Sequence, residues 1–154
     1  MWWRRTVSVT GSASALPPND AEDNVLIALP IRAAAVLLWI NAFGFGLPCI
    51  PAIRSLLAGR GVDMMMGFPA YGRGPFERVG IQTTVPLLFA FLLVCVLEGV
   101  AGWLLWNGTR VGAILSLMLL PVGAIFWWGF ALPFPPVFAV ARTVLIALSW
   151  RQLH

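Results

Sequence analysis

The sequence predicts an all-α integral membrane bundle of four transmembrane helices, and three observations carry that prediction. Of 154 residues, 60% are apolar and 10% charged, where a soluble domain is nearer half apolar and a quarter charged. The mean hydropathy is +0.87. The apolar residues also come in runs that approach or exceed the roughly 20 helical residues needed to cross a hydrocarbon core, divided by stretches rich in Gly, Pro and Arg. Such a chain lacks the polar side chains to wet a folded globule. This excludes an ordinary aqueous enzyme and a disordered polypeptide.

Residues 1–24 open with the twin arginine Arg4-Arg5 and continue through the polar stretch TGSASALPPNDAEDN. A signal peptide places its apolar segment directly after its positive charges. The expectation here is a flexible polar tail rather than a cleaved leader. The first span covers 25–53, interrupted by Arg32 and Asn41, with Pro48 and Pro51 near its far end, where a lost hydrogen bond matters least.

Residues 54–83 form the one long extramembrane stretch, RSLLAGRGVDMMMGFPAYGRGPFERVGIQT, in which Gly-Arg-Gly occurs twice. A phosphate-binding loop needs a Lys-Ser/Thr pair leading into a helix, and neither is present, so the stretch reads as a connector, with a short surface helix as the alternative to a plain one. The second span, 84–106, is uncharged except for Glu98, and a tight Asn107-Gly108-Thr109-Arg110 turn leads into the third, 111–132, with Pro121 near its middle. Neighbouring helices accommodate a proline there. Pro133-Phe134-Pro135-Pro136 then forces a reversal into the fourth span, about 134–153. Its apolar stretch 137–150 reaches only about 21 Å as helix, so a re-entrant or interfacial course is the alternative to a full crossing.

An up-down order puts Trp103, Trp106 and Trp150 at one interface and brings Trp127 and Trp128 towards the other, as an aromatic belt. Four arginines on the terminal side (Arg4, Arg5, Arg110, Arg151) face four in the loop (Arg54, Arg60, Arg73, Arg78). Arg32, flanking the first span, tilts this balance towards cytoplasmic termini. The basic residues are dispersed among apolar runs, whereas a nucleic-acid-binding domain gathers them on one face. No nucleic-acid partner is expected.

Ionisable groups inside apolar spans cost about 2.5–3.5 kcal/mol each on insertion scales, and they normally face the bundle interior and find a partner. Arg32, Glu98 and Arg142 are the three such groups here. Arg32 lies about 10 Å along its helix from residue 25 and Glu98 about 12 Å from residue 106, on the same side. Their depths predict an Arg32–Glu98 ion pair, with Asn41 as a further polar member of a candidate intramembrane site. Arg142, five residues past 137, is expected to snorkel towards the loop, where Asp63 and Glu77 offer partners. Stripes of small residues on the first three spans (Ala35, Ala42 and Gly46; Gly99 and Gly102; Gly112, Ser116 and Gly123) read as packing faces.

Cys49 and Cys95 stand alone in apolar runs without a Cys-x-x-Cys motif, and His154 is the only histidine. No dithiol, metal set or pair of axial haem ligands is therefore expected. No cofactor and no catalytic residue are expected either.

The segment 97–121, LEGVAGWLLWNGTRVGAILSLMLLP, resembles the middle of the DoxX-like small four-helix membrane proteins. The likeness rests on an acidic residue followed a turn later by glycine, a short Gly-Arg turn and a Gly-Ala third helix. Here these are Glu98, Gly102, Gly108, Arg110, Gly112 and Ala113. Ile31-Arg32 resembles the arginine that opens the first helix of that family. The resemblance implies a four-helix inner-membrane protein linked to redox-related partners, and it assigns no catalytic residue.

Together these readings give a non-enzymatic accessory or interaction subunit of a bacterial inner membrane. Its expected partners are the lipid bilayer and either a larger membrane protein or a second copy. The alternative is a carrier or small-molecule-binding bundle built on Arg32, Asn41 and Glu98, and a third reading is a membrane oxidoreductase component.

Overall fold

Helix α1 runs from Asp20 to Leu57, beyond both ends of the apolar run that announces it. The computed structural model describes the backbone of residues 20–61, 64–65, 68–69 and 71–154, and the side chains of 29–61 and 71–154. The polar tail expected over 1–24 lies outside the described residues up to residue 19; its last five residues are the start of α1. Pro30, Pro48 and Pro51 are all interior to this helix. Pro48 and Pro51 have no N–H to offer the carbonyls of Gly44 and Leu47, one turn back. Between those two, the Phe45 carbonyl accepts a short hydrogen bond from the Tyr71 hydroxyl, brought in from the following segment. A neighbouring polar group thus reinforces the stretch of α1 that its prolines weaken.

The stretch 54–83 differs from the plain connector its composition suggests. After α1 it makes a two-residue antiparallel ladder, Met64–Met65 against Phe68–Pro69. It then folds back on the bundle as the single-turn helix α2, Pro75–Arg78. Tyr71 and Phe76 are buried and join Phe91, Phe126 and Phe130 in an aromatic cluster with ring centroids 5.3–6.2 Å apart. Burying aromatic area and Tyr71's hydroxyl bond offsets the cost of ordering a Gly-rich segment.

Helix α3, Val85–Trp106, starts with a proline in its first turn, where the missing N–H costs nothing. It stops at Asn107, and the chain turns through Gly108 at φ 73°. Thr109 then caps α4, Arg110–Gly129, by accepting from the Gly112 N–H. Helix α5, Pro135–Leu148, is followed by a 3₁₀ turn at Trp150–Gln152. The chain end returns to the α3–α4 turn: His154 N–H donates to the Gly108 carbonyl at 3.1 Å, and Arg110 N–H donates to the His154 carbonyl at 2.8 Å. Arg110 Nε holds the Leu153 carbonyl at 2.8 Å.

Helix α3 packs between α1 and α4, while α5 packs on α1 and meets α4 only loosely. A Cβ on Gly112 would stand 2.4 Å from the backbone of Leu105, so α3 and α4 cross at a distance that only glycine permits there. The outward faces are greasy: Phe43, Phe89, Trp103, Met118, Trp128 and Leu148 are exposed, whereas the charged Glu98 and Arg142 are buried. In water such a distribution would aggregate. Three helical stretches, Leu29–Leu57, Val85–Trp106 and Arg110–Gly129, are long and apolar enough to cross a membrane, and α5 is a shorter apolar helix. The chain is an all-helical bundle with the outer surface of a membrane protein.

Candidate functional site

The buried apolar side chains fall into two clusters, and the polar interior lies between them. One cluster, towards the loop end, includes Cys49, Phe91, Cys95, Phe126 and Ala139. The other, towards the chain end, includes Leu38, Ala101, Leu105, Ala113 and Ile146. On each of the helices α1, α3, α4 and α5 one buried polar residue separates them in sequence: Asn41, Glu98, Ser116 and Arg142 respectively.

Three of these four are joined. Arg142 Nη1 donates to Glu98 Oε1 at 2.8 Å, with both side chains only 1% exposed. Asn41 Nδ2 donates to the other carboxylate oxygen, Oε2, in a short hydrogen bond. One carboxylate therefore ties three helices, and the Glu98–Arg142 bridge links α3 to α5. Not every polar atom of the layer is matched: Arg142 Nε and Nη2, Asn41 Oδ1 and Ser116 Oγ are buried without a partner.

This corrects two expectations. Glu98 pairs with Arg142 and not with Arg32. Arg32 is exposed and lies over the Trp106 ring, 5.4 Å from its centroid. Trp106 ends α3, eight residues or about 12 Å from Glu98, so Arg32 sits a full two turns too high. Counting its depth from residue 25 set that residue level with Trp106, whereas it is Arg32 itself that lies at that level. Arg142 is likewise fully buried rather than snorkelling to the loop. Measured from the chain end, it lies six residues, about 9 Å, from the end of α5 at Leu148. That end is fastened near the α3–α4 turn, from which Glu98 is about 12 Å distant. The two depths agree once α5 is measured from its fixed end. Asn41 is 3% exposed and is brought to Glu98.

Sequence reasoning passed over Ser116 as one residue of a small-residue stripe, and Tyr71 and Phe76 as loop. The signal for the last two was present as large aromatic side chains in a stretch rich in Gly, Pro and Arg. Above the polar layer, Trp39 Nε1 donates to the Gly99 carbonyl at 3.2 Å, and its indole stacks on Trp106 with centroids 5.4 Å apart. A Cβ on Gly102 would come within 2.8 Å of Trp39 Nε1. The small-residue faces of α1 and α3 thus enclose an indole as well as each other.

The arrangement provides a fixed charge pair and unmatched hydrogen-bonding atoms, shut off from both surfaces by apolar side chains. Among the described residues, no group of three His, Cys, Asp or Glu gathers as a metal site. Among the described residues, a surface groove between α1 and α3 and another between α4 and α5 are lined almost wholly by apolar side chains. Comparison with protein families, with curated proteins and with solved structures returns no match.

Proposed function

We propose that this chain is a four-span protein of a bacterial inner membrane, with both termini cytoplasmic, acting as a non-enzymatic accessory or interaction subunit. The observation that carries the reading is the enclosure of Glu98 and Arg142, each 1% exposed, beneath apolar clusters on both sides. A carboxylate in that setting serves as a clasp that fixes the register of α1, α3 and α5. The loose seam between α4 and α5 supports an interaction role, since it is where the bundle is least closed on itself. The local DoxX-like likeness around Glu98 and Arg110 points the same way.

The experiment is paired. Protein reconstituted in liposomes is expected to move neither protons nor small ions above protein-free vesicles. A photo-crosslinker at Val140, on the exposed side of α5, is expected to give one defined adduct with a membrane protein in intact cells. Flux that disappears in Glu98→Gln would replace the accessory reading by a carrier. That second reading is favoured by one observation: Arg142 Nε, Arg142 Nη2 and Asn41 Oδ1 are left free in the interior, which is the hydrogen-bonding complement a small polar ligand or ordered water requires.

A further inference from the structure

We infer that the outer groove between α1 and α3 holds one acyl chain of an anionic glycerophospholipid whose phosphate rests on Arg32. The groove is about 420 Å³ and runs from Trp103 on α3 down to Ile50 and Leu92, over a floor that includes Gly46 and Gly99. A bilayer-facing trough of this composition is filled by hydrocarbon, and its length fits one chain. Trp103 is about 4.5 Å and Leu92 about 21 Å below Trp106, while one leaflet of hydrocarbon is about 15 Å deep. The floor has room at Gly99, where a Cβ would meet only the Ala42 Cβ, at 3.8 Å, and is closely packed at Gly46, where a Cβ would stand 3.1 Å from the Cys95 Cβ.

Charge selects which lipid. Arg32 lies on the groove side of α1: positions 39, 43, 46 and 50 follow it at helical spacing along the same face. At the level of Trp106 it is at the end of α3, where headgroups lie. Arg32 is exposed, its guanidinium lies over the Trp106 ring 5.4 Å from the centroid, and no described carboxylate pairs with it. A guanidinium has N–H groups to spare when its only close polar companion is a ring face, and these match a phosphate in a bidentate manner. An indole at headgroup depth below it is the usual companion of such a contact. The site therefore presents a cation above a hydrocarbon slot, which is the shape of one phospholipid.

The inference depends on the membrane location of the chain and not on its accessory role, so its failure leaves the liposome and crosslinking outcomes above untouched. The test is native mass spectrometry of detergent-solubilised protein titrated with phosphatidylglycerol or phosphatidylcholine. The expected result is one tightly retained phosphatidylglycerol, with phosphatidylcholine at least tenfold weaker. Arg32→Gln should remove that preference and Arg151→Gln should keep it. Gly99→Leu, which fills the slot, should lower retention of both lipids at least tenfold. Circular dichroism and gel filtration matching the unaltered chain establish that each variant is folded. Equal retention of the two lipids, or an Arg32→Gln protein that binds like the parent, overturns the proposal. So does a dimer that Gly99→Leu dissolves without any change in lipid, because a second copy would then be the occupant.

Discussion

Glu98 accepts from Asn41 and Arg142 at once, and removing it strands a guanidinium in the apolar interior. Breaking a buried pair from one side costs about 3–5 kcal/mol, whereas replacing both partners by apolar groups is often close to neutral. Glu98→Ala and Arg142→Ala are each expected to lower the detergent-solubilised melting temperature sharply. Glu98→Leu combined with Arg142→Met should recover most of the loss, measured by thermal unfolding as a double-mutant cycle. Adding Arg32→Ala to Glu98→Ala should recover nothing, since Arg32 sits on Trp106. Additive single effects at Glu98 and Arg142 would dismiss the clasp. Tyr71, the only tyrosine, gives a second handle. Burial pushes its phenol well above the ordinary value of 10, so the folded state favours the protonated ring. Tyr71 therefore contributes full stability below about pH 10 and loses it progressively as pH rises towards its higher folded value. Tyrosinate absorbance is expected to appear well above pH 10 in the folded protein and near pH 10 after denaturation. Ordinary titration with the fold intact would show the ring to be wet.

The elements themselves depend on close approaches that only glycine allows. At the end of α4, a Cβ on Gly129 would stand 2.0 Å from the Phe76 ring, and one on Gly74 would stand 2.3 Å from the Gly129 carbonyl. Helix α2 therefore seats on the end of α4 through a glycine–glycine contact, with Phe76 laid across it. Gly129→Ala must displace Phe76 and is expected to cost about 1–3 kcal/mol by overpacking, seen as a lower melting temperature and faster proteolysis within 60–83. Trimming the ring with Phe76→Leu should partly offset it; a Gly129→Ala protein as stable as the parent would argue against this docking. The long helices were legible because runs of apolar residues are enough to specify them: 84–106 differs from α3 by one residue, and 111–132 from α4 by one residue at the start and three at the end. A short helix in the loop was an open alternative, but the docking of α2 was not legible, because its burial depends on Gly74 meeting Gly129, 55 residues away, and no local pattern encodes that. The partner of Glu98 was hidden for a related reason. Depth along a helix is readable from sequence only when its fixed end is known, and α5 is fixed at the Asn107–Arg110 turn by backbone hydrogen bonds that composition does not reveal.

At the scale of the whole molecule, the question is how a 14-residue helix serves in a bundle whose other members are 20 residues or longer. Helix α5 reaches about 21 Å, against a hydrocarbon thickness of about 30 Å. In the proposed four-span arrangement, two features make up the difference. The 3₁₀ turn and the His154–Gly108 and Arg110–His154 hydrogen bonds carry the chain to the level of the α3–α4 turn. At the other end, Phe76 packs on Phe126, Trp128 and Phe130, so aromatic side chains from the α2 segment fill depth that α5 does not reach. In that arrangement the bilayer has little reason to thin around a short helix. This geometry places the chain end with Asn107 and Arg32 on one side, and residues 58–61 and 71–83 on the other. Single cysteines at Asn107 and Arg151 are expected to react with an impermeant maleimide from one face of sealed vesicles, and those at Arg60 and Gln82 from the opposite face. The native thiols, Cys49 and Cys95, are buried and should stay unlabelled until the protein is denatured. Labelling of the Arg151 position from the same face as Gln82 would make α5 re-entrant, and with it the four-span arrangement would fall.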